Sequence, residues 1–279
     1  MSKINTNVNA LTATNALTKN SRDMQLTMQR LSTGQRINGA SDDAAGIAIA
    51  TTMTAQINGL NAAVRNANDA MSMLQTADGA LSETSSLVQR MRELAVLAIN
   101  DTYSTTQKSA MSTEFTALAA QITFIASNTQ FNGMKVLDGN GGAPGGTATS
   151  VYTFQVGANN AQTMTVTLTS MGLGALSMTT VGITAAASAT SALPDLDTAL
   201  TVINTARATL GASINRLTHA VDNLSNVAAN ATESRSKIAD TDYAQATSDL
   251  ARQQIIQQAG TAMLAQANQM PSMVLALLR

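Results

Sequence analysis

Few side chains in this sequence belong to the types that catalyse reactions or bind metal ions, and they do not converge on one place. His219 is the single histidine, and it stands between Leu217 and Val221 in a helical pattern. A lone imidazole without a cysteine or an acidic cluster nearby is typical of a packing or surface residue. We therefore predict no catalytic residue, no cofactor and no metal site, and an enzyme is not expected.

Two short acidic clusters offer carboxylates either to a metal ion or to the start of a helix. One contains Asp42 and Asp43, and the other contains Asp240 and Asp242. Both stand directly before a helical pattern, where a carboxylate accepts hydrogen bonds from unpaired backbone N–H groups and meets the positive end of the helix dipole. Such a cap is worth roughly 0.5–2 kcal/mol. Helix capping is therefore the expected role.

Composition excludes several further classes of function. The glycine-rich stretch 139–146 lacks the Gly-Lys-Ser/Thr ending of a phosphate-binding loop. The chain has no cysteine, which excludes disulfides and thiolate zinc sites. Only 12% of residues are charged, about half the usual share. The sequence has no stripe of basic residues, so nucleic-acid binding is not predicted. So much uncharged surface instead indicates extensive self-association.

The C-terminal segment 252–279 is the most unusual part of the chain, because no charged residue stands between Gln253 and Leu278. Its apolar residues Ile256, Met263, Met270 and Leu277 are spaced by seven, which is typical of a helix packed along another helix. Its longest apolar run is Met273 to Leu278, far short of the roughly 20 residues that a membrane span needs. We predict a helix buried among other helices and no membrane span.

The N-terminal segment carries a matching pattern. Ala10, Leu17, Met24 and Leu31 are also spaced by seven, and Thr33 with Gly34 marks a helix end. We infer that the first and last helices pair, so that the two ends of the chain meet.

Three further helices are predicted between these ends. A long heptad pattern from Met53 to Ala95 predicts a helix over about 44–100, and Ser104 can cap another over about 106–128. The heptad returns after Pro194 and runs from Leu196 to Ile238. This last helix is expected to lie antiparallel to the helix over 44–100.

Between these helices the apolar period changes from 3.6 to 2. Tyr152, Phe154 and Val156, and then Met164, Val166 and Leu168, predict a β-hairpin. The glycine-rich stretch 139–150 and the Ala/Ser/Thr tract 185–192 are expected to be surface loops.

These patterns predict a mainly α fold: an elongated antiparallel helical bundle or coiled coil with paired N- and C-terminal helices and a small β-hairpin region. The aromatic content of 3% agrees with long helices packed through small and flexible side chains. Two domains are predicted, a terminal-helix domain of residues 1–43 plus 239–279, and a central helical bundle of residues 44–238 that includes the hairpin region 131–193.

Several sequence blocks of this chain resemble those of bacterial flagellin, the filament protein of the flagellum, over nearly the whole length. The blocks are RLSTGQRINGASDDAAGIAIA (30–50), LVQRMRELAVLAIN (87–100), TQFNGMKVLDG (129–139), FQVGANNAQT (154–163), and the C-terminal block from SRSKIADTDY to VLALLR (234–279). The resemblance implies a structural subunit that self-assembles helically into a secreted, extracellular filament for swimming motility, with the terminal helices forming an inner tube.

The resemblance also implies partners. It implies export through the flagellar export apparatus with a chaperone on the C-terminal helix, assembly under a filament cap, and contact with hook-associated proteins. The subunit-packing residues would be Leu17, Met24, Leu31, Ile256, Met263, Met270 and Leu277. In some flagellins the surface around the RMREL block is recognised by Toll-like receptor 5, and the matching residues here are Gln89, Arg90, Leu94 and Glu114.

Two other interpretations remain open from the sequence. A hook–filament junction protein shares the terminal helices of flagellin. A secreted coiled-coil translocator would share the helical patterns, although it needs a membrane span that the sequence does not predict.

Overall fold

The computed structural model describes residues 6–139, 149–179 and 181–276, without the side chains of residues 149 and 270–276. The helices are α1 (Val8–Thr33), α2 (Ala44–Ile99), α3 (Thr105–Asn128), α4 (Ala186–Ala239) and α5 (Tyr243–Ala276). The strands are β1 (Gln130–Phe131), β2 (Met134–Lys135), β3 (Thr149–Gln155) and β4 (Thr163–Thr169), which pair as two antiparallel hairpins. The mainly α fold with a small β-hairpin region is therefore confirmed.

The predicted helix ends agree with the local geometry. Gly34 ends α1 in the left-handed conformation, with φ of 71°, and its N–H donates to Arg30 O. Ser104 begins α3 with a capping box: its Oγ accepts from the Gln107 N–H, while Gln107 Oε1 accepts from the Ser104 N–H. Each cap satisfies backbone groups that the helix itself leaves unpaired.

Contacts along the chain divide it into two compact units. Unit 1 comprises residues 1–56 and 229–279, and unit 2 comprises residues 57–228. These boundaries fall inside α2 and α4, whereas the predicted domain boundaries fall at helix ends, near residues 43 and 239. The difference arises because the first turns of α2 and the last turns of α4 belong to the packing of unit 1.

The core of unit 2 is built on the heptads of α2 and α4. In α2 the buried positions include Leu60, Ala67, Leu74, Leu81, Val88 and Ala95. In α4 they include Leu196, Ile203, Leu210 and Leu217, and the two series, apart from Leu60, belong to one hydrophobic cluster. Residues seven apart share a helix face, so both predicted heptads mark the buried face.

Polar pairs within unit 2 give the direction of these helices. Arg207 Nε donates to Asp78 Oδ1 at 2.8 Å, and Arg92 Nε donates to Asp197 Oδ1 at 2.7 Å. Of these two pairs, the one that lies later in α2 lies earlier in α4. Within unit 2 the two helices are antiparallel, as predicted.

The β3–β4 hairpin covers part of this core. It pairs Tyr152 with Val166 and Phe154 with Met164, which are the residues of the predicted period-2 pattern. Met164, Val166 and Leu168 are buried and alternate with exposed threonines. The alternation places one face of the hairpin against the core.

The start of α4 corrects one prediction. The sequence predicts that the tract 185–192 is a surface loop before a helix beginning near Pro194, but α4 begins at Ala186 and Pro194 lies inside it. Alanine has the highest helix propensity, and Ala189 and Ala192 are buried in the core cluster. These contacts offset the one backbone hydrogen bond that the proline removes. The other expected loop falls mostly on residues 140–148, outside the described residues.

Candidate functional site

The terminal helices α1 and α5 pack against each other within unit 1. Near the start of α1, Asn7 Nδ2 donates to Ala267 O, and near its end Leu31 O accepts from the Tyr243 hydroxyl at 3.2 Å. Low residue numbers in one helix therefore meet high numbers in the other. The two helices pair in antiparallel fashion, and the predicted pairing of the first and last helices is confirmed.

The α1 side of this pairing seam mixes apolar and polar residues. Leu17, Met24 and Leu31, the residues that the sequence pattern selects, are partly buried. Asn20 and Thr27, each 8% exposed, lie between them at the second heptad position. The seam on α1 therefore alternates large apolar residues with small or polar ones.

The α5 side uses a different heptad from the one that its apolar residues predict. The buried or partly buried positions are Ala246, Leu250, Gln253, Gln257, Gly260, Leu264 and Ala267. Ile256 and Met263 are 48% and 63% exposed, so they face away from α1. The side chain of Met270 and the whole of Leu277 lie outside the described residues.

The end of α1 is fastened to the segment between α4 and α5. Gln35 and Asp240 form an antiparallel bridge, in which the Arg36 N–H donates to Ala239 O at 2.7 Å and the Thr241 N–H donates to Gly34 O at 3.0 Å. This short ladder is made of backbone groups, so the sequence pattern gives no signal for it. It holds the two chain segments together where both helices end.

One aspartate of each acidic cluster caps a helix, as expected from the sequence, whereas Asp240 forms the backbone bridge with Gln35. Asp43 Oδ1 accepts from the Gly46 N–H at 2.8 Å at the start of α2, and Asp242 Oδ1 accepts from the Ala244 N–H at 2.9 Å at the start of α5. Asp42 instead accepts from the Asn38 N–H and so orders the connector before α2. Among the described residues, no group of three or more His, Asp or Glu side chains could hold a metal ion.

The terminal helices expose large apolar residues that their pairing leaves uncovered. Ile255 is 65% exposed, a value close to that of Met263. The exposed apolar residues of α1 and α5 are Val8, Leu11, Leu26, Met28, Tyr243, Ile255, Ile256 and Met263. Eight exposed large apolar residues on one helix pair favour an interface with another protein.

The four residues matched to receptor recognition lie in unit 2, and not all of them are exposed. Gln89, Arg90 and Glu114 are exposed, and Arg90 joins α2 to α3 through an ion pair with Glu114 at 2.9 Å. The hydrogen bonds that Arg90 donates to Glu114 and then to Glu93 raise the pKa of its guanidinium above the ordinary value. Leu94 is only 2% exposed and belongs to the core. Its role as a recognition residue stays a prediction, and the burial of its side chain does not favour that role.

His219 is exposed on α4, as a surface residue would be. In the part of the chain that the structure describes, no helix combines the length and the apolar character needed to cross a bilayer.

The sequence pattern missed the residues that join α1 to α5 most closely. Asn7 and Asn20 donate side-chain hydrogen bonds across the pair, and Gly260 lies against Leu17. A weak signal was present, because Asn20 falls at a heptad position between Leu17 and Met24. A pattern built from apolar residues alone does not include such polar positions.

Two family models match the chain. The model of the bacterial flagellin N-terminal helical region matches residues 4–141, and the model of the bacterial flagellin C-terminal helical region matches residues 193–278. Together they cover well over half of the chain, including α1, α2, α3 and α5.

Full-length relatives agree with the family models. A flagellin of Halalkalibacterium halodurans is 41% identical over 278 residues, which cover 99% of each chain. A flagellin of Bacillus subtilis is 39% identical over 303 residues, covering 99% of this chain and 100% of the relative. These comparisons give no support to a hook–filament junction protein.

One solved structure shares the fold at low sequence identity. A Vibrio parahaemolyticus protein described as a flagellar hook-associated protein superposes with a TM-score of 0.59 at 14% identity, covering 71% of this chain and 100% of that chain. At this identity the likeness shows the fold alone.

Proposed function

The chain belongs to the bacterial flagellin family, and we propose that its paired terminal helices are the surface through which copies pack together in the filament. The protein is a structural subunit of the extracellular flagellar filament, the polymer that serves swimming motility. The family is a structural one, and no reaction is assigned to this chain. Its function therefore depends on assembly with copies of itself.

The observation that carries the proposal is the unequal burial of the two units. The largest fully buried side chains in the described residues, such as Leu74, Leu196 and Leu210, all lie in unit 2. Among the described residues of unit 1, the buried apolar ones are Ile37, Ala239 and Ala246. A helix pair with so little buried apolar area is marginal by itself and gains stability from further tertiary contacts.

Packing between copies would supply those contacts. Ile256 and Met263 on α5 are exposed, and Leu17, Met24 and Leu31 on α1 are only partly buried. We propose that these residues pack between subunits, together with Met270 and Leu277. Contacts of this heterologous kind extend into an open helical array rather than a closed ring.

Under this proposal the two predicted domains occupy different layers of the filament. Residues 1–43 and 239–279 would form the inner tube of the filament, and residues 44–238, with the hairpin region, would form the surrounding shell. The low content of large buried residues in the terminal part supports this division, since such a part needs neighbours.

The same exposed residues support a set of transient partners. Before assembly, Ile255, Ile256 and Met263 would be exposed to water, so a flagellar export chaperone that covers α5 would prevent premature aggregation. We propose passage through the flagellar export apparatus, and assembly in contact with the filament cap and the hook-associated proteins.

We propose recognition by Toll-like receptor 5 through three of the four matched residues. Gln89, Arg90 and Glu114 remain available on the surface of α2 and α3. Arg90 would have to exchange its contacts with Glu93 and Glu114 for contacts with the receptor. Leu94 is left out, because it is buried.

The decisive experiment replaces the exposed apolar residues of α5. Ile256→Ser combined with Met263→Ser is expected to raise the concentration needed for assembly by at least about tenfold, because each buried apolar side chain is worth about 1.5–3 kcal/mol. Sedimentation at a series of protein concentrations, with electron microscopy of the pellets, measures the effect.

A matched control lies in unit 2. Val151 is 63% exposed on strand β3, as exposed as Met263, so Val151→Ser removes a similar apolar side chain outside the terminal helices. We expect it to assemble as the parent chain does. Normal assembly of the α5 double variant, or equal loss in both variants, would contradict the assignment of α5 as the packing surface.

A further inference from the structure

We propose that Asn20, with Gly260, keeps α1 and α5 in the single register that the backbone ladder at Gln35 and Asp240 begins. This inference deepens the proposed role of the terminal helices and rests on it only for the effect on filaments. The register itself is a property of the two helices within one chain.

Asn20 makes the most specific polar contact between the two helices. It is 8% exposed, and its Nδ2 donates to Gln253 O at 2.9 Å and to Gln257 Oε1 at 3.1 Å. Both acceptors lie on the α5 face that meets α1. If α5 slid by one heptad, the side-chain acceptor Gln257 would move away, and the buried amide would lose this partner.

The polar cluster around Asn20 does not maximise stability. Gln253 Oε1 is buried and has no hydrogen-bond partner within the described residues. A buried acceptor without a donor destabilises the folded state, and an apolar residue at this seam position would avoid that cost. A single buried amide in a helix pair is known to fix register while lowering stability. The arrangement therefore fits selection of one register better than general stabilisation.

Gly260 adds a steric restriction to the same register. A Cβ at this position would lie 2.6 Å from Leu17 Cδ2, closer than atoms can approach without movement. Leu17 thus occupies a notch at Gly260, and a side chain at this position would force the leucine to shift. In a register shifted by seven residues, Leu17 would face Gln253 or Ala267, each of which carries a side chain.

Asn7 gives a third contact in the same register, one that involves the start of α1. Its Oδ1 caps the helix by accepting from the Ala10 N–H at 3.0 Å, while its Nδ2 donates to Ala267 O at 2.7 Å. The apolar heptad of α1 cannot supply this selection, because Leu17, Met24 and Leu31 repeat every seven residues and look alike after a shift. The amides and the glycine break that repetition.

Disulfide trapping can measure the register, because the chain has no cysteine of its own. One full-length reporter carries Leu31→Cys with Ala246→Cys, which lie two heptads from Leu17 and Gly260 on the pairing faces, and tests the native register. A second reporter carries Leu31→Cys with Gln253→Cys and tests a shift of one heptad. Each reporter is oxidised with and without Asn20→Leu, and cross-linking is quantified in the filament pellet and in the unassembled fraction.

In the parent background we expect cross-linking of the first reporter only. With Asn20→Leu, we expect the shifted cross-link to rise by about tenfold or more, while circular dichroism shows no loss of helix. Asn15→Leu is the matched control, since Asn15 is exposed on the same helix, and it should leave the parent pattern unchanged.

Two outcomes would overturn the inference. If Asn20→Leu kept the native cross-link alone, Asn20 would not select the register. If Asn20→Leu abolished both cross-links, Asn20 would hold the pair together rather than choose its alignment. A failure of the proposed assembly role is distinguishable, because the variant with Ile256→Ser and Met263→Ser would then assemble normally, whatever the cross-links show.

Discussion

Gly34 shows how one residue shapes the end of α1. Its φ of 71° is a left-handed conformation that residues with a side chain rarely adopt, and a Cβ there would lie 3.2 Å from the Tyr243 hydroxyl oxygen. That hydroxyl donates to Leu31 O, a carbonyl in the last turn of α1. Glycine thus allows both the turn and the approach of the tyrosine.

We expect Gly34→Ala to lower the temperature at which filaments dissociate, because the left-handed conformation costs a residue with a side chain about 1 kcal/mol. Light scattering during heating measures the change. Gly39→Ala is the control in the same connector, since its φ is not left-handed and its Cβ would meet only Ser41 Oγ, at 3.6 Å. An equal shift in both variants would refute the conformational explanation.

Tyr152 provides a prediction on pH. Burial, and then the negative charge of Asp138, raise the pKa of the phenol above its usual value, and the hydroxyl donates to Lys135 O at 2.8 Å. The folded state therefore holds this proton more tightly than the unfolded state does. The resulting stabilisation is complete below pH ~10, the ordinary pKa, and is lost as the pH rises through the raised folded pKa.

We expect Tyr152→Phe to lower the free energy of unfolding by about 1 kcal/mol at neutral pH, through loss of the hydrogen bond. Above pH ~10 the difference from the parent should shrink, because only the parent loses stability by ionising this phenol. Urea unfolding at a series of pH values measures both effects. A difference that stays constant up to pH ~11 would show that the phenol is not perturbed.

At the scale of the elements, two helix pairs use the heptad in different ways. The α2 and α4 heptads place Leu74, Leu81 and Leu210 in a closed apolar core. The α1 and α5 pair mixes leucines with amides, alanines and a glycine on its inner face, and it leaves other large apolar residues such as Ile255, Ile256 and Met263 exposed. The α2 and α4 pair buries its apolar residues within the chain. The α1 and α5 pair leaves several of its apolar residues exposed, where another copy could cover them.

This difference predicts where a core substitution has its effect. Leu210 is 1% exposed, so Leu210→Ala should lower the free energy of unfolding of unit 2 by about 2–5 kcal/mol through lost burial and a cavity. Val227→Ala, on the same helix at a position 38% exposed, should change it by less than about 0.5 kcal/mol. Thermal unfolding followed by circular dichroism compares the two, and equal effects would argue against the closed core.

For the whole molecule, the two units predict different behaviour before and after assembly. Unit 2 contains the largest fully buried side chains and should be folded in the free subunit. Unit 1 has a small apolar core and exposes Leu11, Met28 and Ile255, so its stability should depend on neighbouring copies.

Hydrogen exchange on free subunits and on filaments tests this difference. We expect amides of residues 8–33 to exchange at least about 100-fold more slowly in filaments, because copies in the filament suppress local opening of α1. Amides of residues 67–95 serve as the internal control and should be protected in both states. Equal protection of α1 in the two states would contradict the dependence of unit 1 on assembly.

Much of the fold follows from local features of the chain. The bounds of α2 and α3 and the β3–β4 hairpin are predictable because heptad spacing, a capping serine and period-2 alternation act over a few residues. The start of α4 is not, since Pro194 indicates a boundary that the burial of Ala189 and Ala192 overrides. Tertiary packing there outweighs a local signal.

The sequence predicts only part of the candidate site, because tertiary packing decides the rest. The sequence identifies α1 and α5 as partners and selects Leu17, Met24 and Leu31, which do lie on the pairing face. It assigns Ile256 and Met263 to the pattern of a packed helix without showing which partner they meet. Within the chain they are exposed, and their role between copies stays a prediction.

The sequence by itself determined that the protein is a set of long helices with a small hairpin, because residue spacing and caps are properties of neighbouring residues. Only the tertiary structure decided which face of α5 meets α1 and which residues fix that contact. An apolar heptad does not distinguish a partner in the same chain from a partner in another copy. The hydrogen bonds of Asn20 and the notch at Gly260 exist only when both helices are in place.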